Sequence, residues 1–220
     1  MTPDTPPGRN PTATPDVWHG GYYELAIELG QRDDERLVAA LRAVWQFPAL
    51  DGCYARRDIE PAAQERYEPS LHTLESGRGM HGILTLPEDG AHVACGVTLV
   101  RDGERESDWL VFFLPMGSLG NVRAVGAFPF GETLPSRPWR EPLDRLLIQI
   151  AHRVHAGAPF RLALIGHEVS GETDAATVIA AGGVPSERWF GYLFTAEPER
   201  PLEWFAPTIY DAPYSFSRVS

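Results

Sequence analysis

The alternation of apolar and polar residues predicts a strand near the start of the chain. In the stretch GYYELAIEL, apolar side chains take every second position and glutamates lie between them: Tyr23, Leu25, Ile27 and Leu29 against Glu24 and Glu28. A period of two is typical of a strand with one face on the core and the other in water. We therefore expect the two glutamates to face solvent.

Other stretches follow the helical period. Residues 34–47 carry an apolar stripe behind acidic residues that favour the start of a helix, and Pro48 ends it. Residues 139–156 follow the i, i+3, i+4, i+7 rule, which predicts a long amphipathic helix. A shorter helix is predicted at 174–181, where Asp174 or the preceding threonine would cap its first turn.

Three further strands are predicted over residues 80–114, where Asp-Gly pairs mark the tight turns of an antiparallel meander. Additional strands are predicted at 160–166 and in the stretch RWFGYLF. Together these elements predict an α+β fold, with a largely antiparallel mixed sheet of about six or seven strands and about three helices packed on one face. We expect a single domain over residues 18–220.

The two ends of the chain differ from this core. Residues 1–17 are rich in proline and threonine with little to bury, so we expect a disordered tail. The C-terminal stretch is aromatic and interrupted by prolines, and its aromatic residues could either pack as a strap or form an exposed patch. These residues are Trp204, Phe205, Tyr210, Tyr214 and Phe216.

Composition excludes several classes of function. The formal net charge is −11, and nucleic-acid binding depends on cationic side chains, so we expect no nucleic-acid partner. All 19 basic residues other than histidine are arginine, and the absence of lysine excludes a Schiff-base lysine and the lysine-bearing phosphate loop. Cys53 and Cys95 are isolated, which favours a reducing compartment.

We also expect no membrane partner, because no segment approaches the ~20 consecutive apolar residues of a spanning helix. The N-terminus lacks the pattern of a signal peptide, so the sequence predicts a cytoplasmic location. No cofactor motif is present, and we expect no cofactor.

The most prominent candidate site is the junction between the predicted strand 160–166 and the helix that follows. Ligands of sheets with crossover helices collect beyond the ends of strands, which is where these polar side chains fall. One imidazole and three carboxylates could ligate a divalent cation: His167, Glu168, Glu172 and Asp174. His167 and Glu168 would act as the acid–base pair.

A second candidate site lies in the stretch GSLGNVR, within a glycine-rich connection that spans residues 115–139. Backbone amides around Gly117 and Gly120, together with the guanidinium of Arg123, could form an anion-binding loop.

Two functions are consistent with these observations. The first is a non-catalytic cytoplasmic binding module with an acidic surface that recognises a basic protein, as an immunity protein or antitoxin would. The alternative is a metal-assisted hydrolase whose site is the junction 167–174, where a bound cation would activate water. In a third interpretation of that junction, its ionisable groups only cap a helix.

Overall fold

The computed structural model describes residues 12–70, 72–73, 79–102, 107–125 and 139–208. Within these ranges the strands are β1 (Tyr22–Gln31), β2 (Leu50–Tyr54), β3 (Met80–Thr85), β4 (His92–Asp102), β5 (Ser107–Pro115), β6 (Leu162–His167), β7 (Gly191–Phe194) and β8 (Glu203–Phe205). The α-helices are α1 (Asp34–Trp45), α2 (Met116–Gly120), α3 (Arg140–Gly157) and α4 (Ala175–Ala180). Two short 3-10 turns are formed by Pro15–Trp18 and Pro61–Ala63.

All eight strands belong to one sheet, in the order β2-β3-β4-β5-β1-β6-β7-β8. Every pairing between these strands is antiparallel, so the α+β class is confirmed, and the sheet is antiparallel throughout rather than mixed. The predicted meander is β3-β4-β5, and β5 lies centrally as its two apolar faces indicate. The sheet has eight strands where about six or seven were predicted, and the sequence patterns did not indicate β2 and β8.

The larger core lies between one face of the sheet and the helices α1 and α3. Strand β1 contributes its predicted apolar parity to this core, and Leu25 and Ile27 are fully buried. Cys95 is buried on the same face, and it and Cys53 form no disulfide bond.

A second, smaller core covers the opposite face of the central strands. Ala26, Val111 and Leu164 contribute to it from the sheet, and Ala175 and Val178 contribute from α4. The prediction that the helices pack on one face is therefore wrong. Helix α4 is too short to show a helical period of its own, and its two buried side chains place it on the second face.

Part of the N-terminal segment packs against the rest of the fold. Residues 12–18 pack against the fold, and Val17 is only 2% exposed. A Cβ added at Gly117 of α2 would lie 2.2 Å from the carbonyl oxygen of Asp16, so the two segments approach closely. The disordered tail over residues 1–17 stays a prediction, and residues 1–11 lie outside the described residues.

Among the described helices, none combines the length and apolar character that a membrane span requires.

Candidate functional site

The junction after β6 is a tightly turned loop that leads into α4. His167 ends the strand, and Glu168 adopts a positive φ of 48°, which is uncommon for a residue with a side chain. Asp174 is the N-cap of α4, and its Oδ1 accepts a hydrogen bond from the backbone N–H of Thr177 at 2.7 Å. The predicted cap is confirmed.

Two carboxylates of the central strand hold the same loop. The backbone N–H of Ser170 donates to Oε2 of Glu24 at 3.0 Å, and that of Ala175 donates to Oε2 of Glu28 at 2.7 Å. The expectation that both glutamates face water is therefore wrong, since Glu24 is only 6% exposed. The alternation along β1 separates its two faces as predicted, but the loop after β6 covers the second face in place of solvent.

Burial of Glu24 affects the pKa of its carboxyl group. Desolvation raises the pKa of Glu24 above its usual value, and the negative charge of Glu168 adds to the increase. Hydrogen bonds from the loop backbone at Ser170 and Val169 stabilise the charged form and offset part of it. The Glu24 carboxylate thus positions the backbone of the loop after β6.

The structure brings two of the four predicted metal ligands together. A Cβ added at Gly21 would lie 2.9 Å from Nε2 of His167 and 2.7 Å from Oε1 of Glu168, so both side chains converge on this glycine. They form no larger group with Glu172 or Asp174. Across the described ranges, no set of three or more His, Cys, Asp or Glu side chains could hold a metal ion. The metal-assisted hydrolase stays a prediction from the sequence.

The predicted anion loop has a different arrangement. Gly117 and Gly120 are the second and last residues of helix α2. Arg123 pairs with Glu88 and Asp89 of the β3-β4 turn. The guanidinium of Arg123 donates to both carboxylate oxygens of Asp89, at 2.7 and 3.1 Å. These bonds lower the pKa of Asp89 to about 2. An anion at this loop would have to compete with Asp89 for Arg123.

Sequence reasoning missed a buried polar group between β1 and α3. Tyr23, Arg140 and Asp144 are each less than 10% exposed, and Nε of Arg140 lies 3.5 Å from Oδ2 of Asp144. Burial raises the pKa of Asp144 to about 6, against the opposing charge of Arg140. The signal in the sequence is an aspartate inside the apolar stripe of α3, next to Leu143. The group links the sheet to helix α3. Because its side chains are buried, a substrate would not reach them.

The predicted C-terminal aromatics are only partly described. Trp204 and Phe205 belong to β8 and are half-buried, whereas Tyr210, Tyr214 and Phe216 lie outside the described residues. A Cβ added at Gly191 of β7 would lie 1.8 Å from the Trp204 ring, so the indole packs directly on this glycine.

Comparisons with protein-family models, with curated proteins and with solved structures find no match to this chain. The functional argument therefore rests on the described geometry and the chemistry of its side chains.

Proposed function

We propose that the protein is a non-catalytic binding module of the cytoplasm that recognises a basic protein partner through residues 168–187, called here the acidic segment. The main support for the proposal is that carboxylates at the junction hydrogen-bond to the backbone of this segment. Glu24, Glu28 and Asp174 each accept a backbone hydrogen bond from the loop or from α4. These groups hold a surface segment in place, which suits a recognition surface better than a reaction centre.

The charge of the acidic segment supports the same function. It contains four acidic residues and no arginine, lysine or histidine, and the one guanidinium bonded to its backbone is that of the adjacent Arg188, among the described residues. Glu168, Glu172 and Glu187 are exposed, so their carboxylates are accessible to a partner. Ile179 of α4 is 44% exposed and adds an accessible apolar side chain to the segment. A surface of this kind complements a partner rich in arginine or lysine.

Anchoring of the segment matters for affinity. Association with a preorganised surface does not require the ordering of a flexible loop, which would cost binding free energy. Negative charge on that surface steers a basic partner toward it and speeds association. An antidote to a basic toxin is one protein class that would use such a surface.

The test measures binding of a short arginine–serine peptide by titration calorimetry at low and at physiological salt. The triple variant E168Q/E172Q/E187Q removes three charges from the acidic segment without changing side-chain length. We expect its affinity for the peptide to fall at least about tenfold, because complementary charges at the contact surface are lost. The matched control is E35Q/E65Q/E199Q, which removes the same charge from exposed positions elsewhere.

The control should bind the peptide within about twofold of the unmodified chain, since only its net charge changes. Equal losses in the two triple variants would mean that the peptide responds to net charge alone and would overturn the proposal. Failure of the unmodified chain to bind the peptide at low salt would also overturn it.

A further inference from the structure

A small open pocket lies toward the β2 edge of the sheet, on the other side of β1 from the acidic segment. It forms where the N-terminal segment meets β3 and the loop after β2. Its enclosed volume is only about 10 Å³, so it is a shallow depression that is open to solvent. The lining combines aromatic, cationic and imidazole side chains, among them Trp18, Tyr54, Arg56, Arg57, Gln64 and His81.

The wall of this pocket is built by specific hydrogen bonds. Oε1 of Glu60 accepts from the backbone N–H of Thr12 at 2.9 Å and of Ala13 at 2.7 Å, and Oε2 accepts from the Thr12 hydroxyl at 3.0 Å. The carbonyl of Thr12 in turn accepts from Nε1 of Trp18 at 2.9 Å. The Glu60 carboxylate thus holds residues 12–13 in place, and the Thr12 carbonyl in turn orients the Trp18 indole.

Two neighbouring arginines at the pocket differ in their partners. Arg56 donates to both carboxylate oxygens of Asp58, at 3.0 and 2.6 Å. The guanidinium of Arg57 lies over the Trp18 ring at 5.9 Å from its centroid, and within the described part of the chain it makes neither an ion pair nor a hydrogen bond. Arg57 is exposed, so its donors are accessible to a ligand.

His81 also lines the pocket, beside Trp18. Its imidazole packs edge-on against the Trp18 indole at a centroid distance of 5.2 Å. Its Nδ1 is buried, and no described residue hydrogen-bonds to it. Burial, with a smaller effect of the Arg57 charge, lowers the pKa of His81 to about 4, so the ring is neutral at neutral pH. A neutral imidazole supplies one N–H donor and no charge.

We propose that this pocket binds the carboxylate of a small organic acid, with Arg57 as its charged partner and the Trp18 indole as the apolar surface beside it. The planar fork of a guanidinium matches the two oxygens of a carboxylate. His81 would donate one further hydrogen bond from its ring N–H. One guanidinium and a neutral imidazole balance a monoanion, whereas a phosphate dianion would keep one charge unneutralised.

The test is a titration of the full chain with sodium benzoate, followed by two-dimensional NMR at the indole N–H of Trp18 and the side-chain N–H of Arg57. Benzamide, which has the same shape without the charge, and sodium chloride at matched ionic strength are the ligand controls. We expect a saturable shift at both groups with benzoate alone. Saturable binding of benzamide, or an equal response to chloride, would overturn the proposal.

Matched variants test the assignment of the charged partner. R57Q should raise the dissociation constant of benzoate at least about tenfold, because two charge-assisted hydrogen bonds are lost. R56Q lies at the same pocket but changes a guanidinium already paired with Asp58, and should bind within about twofold. Because both positions are exposed, both variants should fold, which their NMR spectra would verify. Equal effects of R57Q and R56Q would overturn the role of Arg57.

Two further probes define the class of ligand. Inorganic phosphate should bind more weakly than benzoate, and tighter binding of phosphate would overturn the assignment to a monoanion. A short peptide with a free C-terminal carboxylate, compared with its amidated form, separates a small acid from a chain end. Binding of that peptide without binding of benzoate would overturn the assignment to a small organic acid.

Discussion

The phenol of Tyr23 donates a hydrogen bond to Oδ1 of Asp144 at 2.5 Å, across the interface between the centre of the sheet and helix α3. Arg140, one helical turn earlier, lies with its guanidinium 5.6 Å from the centroid of the Tyr23 ring. A polar group of this kind in an otherwise apolar core favours one relative position of strand and helix, since each partner loses its bonds if the interface shifts.

The raised pKa of Asp144 predicts a pH-dependent stability. The carboxyl keeps its proton up to about pH 6 in the native state and loses it near its usual value of 3.8 in the unfolded chain. Protonation therefore favours the native state between these values. We expect the free energy of unfolding of the unmodified chain, relative to D144N, to fall on the order of 2 kcal/mol as the pH rises through this window.

Urea denaturation of both chains across that pH range would measure the difference, with D144N serving as the reference that cannot titrate. Curves that run parallel from the acidic to the neutral end would contradict the burial of an ionisable Asp144.

The bond between Glu24 and Ser170 predicts opposite results for two substitutions. E24Q keeps an oxygen acceptor and removes a desolvated charge, so we expect its free energy of unfolding at neutral pH to equal or exceed that of the unmodified chain. E24L removes the acceptor and leaves the Ser170 amide without its bond, which should cost about 1–3 kcal/mol. Chemical denaturation would measure both values.

Amide hydrogen exchange at Ser170 provides a direct readout of the loop. Protection of this amide should persist in E24Q and be lost in E24L. If E24Q were destabilised as strongly as E24L, the charge of Glu24 and not its acceptor oxygen would hold the loop.

The packing of Trp204 on Gly191 predicts that the same substitution has opposite effects at two glycines. In G191A the added methyl group would overlap the Trp204 ring, and we expect a loss of about 1–3 kcal/mol as the indole moves. In G157A, at the last residue of α3, no atom lies within 4 Å of the added group. There we expect a gain of about 0.5–1 kcal/mol, since alanine is the better helix former.

Thermal unfolding monitored by circular dichroism would compare the two alanine variants, and the near-ultraviolet signal of tryptophan would report on Trp204. A G191A chain as stable as the unmodified one would show that β8 does not depend on this contact.

The parts of the fold that the sequence predicted are those whose signal is local. Strand β1, helix α3 and the meander each carry a complete period or turn within their own residues. Asp174 was predicted as a cap because a capping residue directly precedes its helix. Strand β8 has only three residues, too few to show a period, and it is recognised as a strand only by its pairing with β7.

The candidate site was less predictable for a related physical reason. Alternation along β1 separates two faces but does not say whether water or a loop covers the second, so the roles of Glu24 and Glu28 depend on contacts with residues 170–175. Trp18 stands next to a proline-rich stretch without periodicity. Its place beside Arg57 and His81 results from the bonds that Glu60 makes with residues 12–13, which no local pattern indicates.

Strand β1 lies in the middle of the sheet, between β5 and β6, although it precedes every other strand that the structure describes. During synthesis it must therefore wait for both neighbours, and β6 emerges only after α3 is complete. Until then, one row of its backbone amides and carbonyls is unpaired and can add a strand from another molecule. A partly synthesised chain that still lacks β6 is therefore prone to aggregation. Pairing of β6 with β1 joins residues far apart in sequence, so it is a slow step of folding.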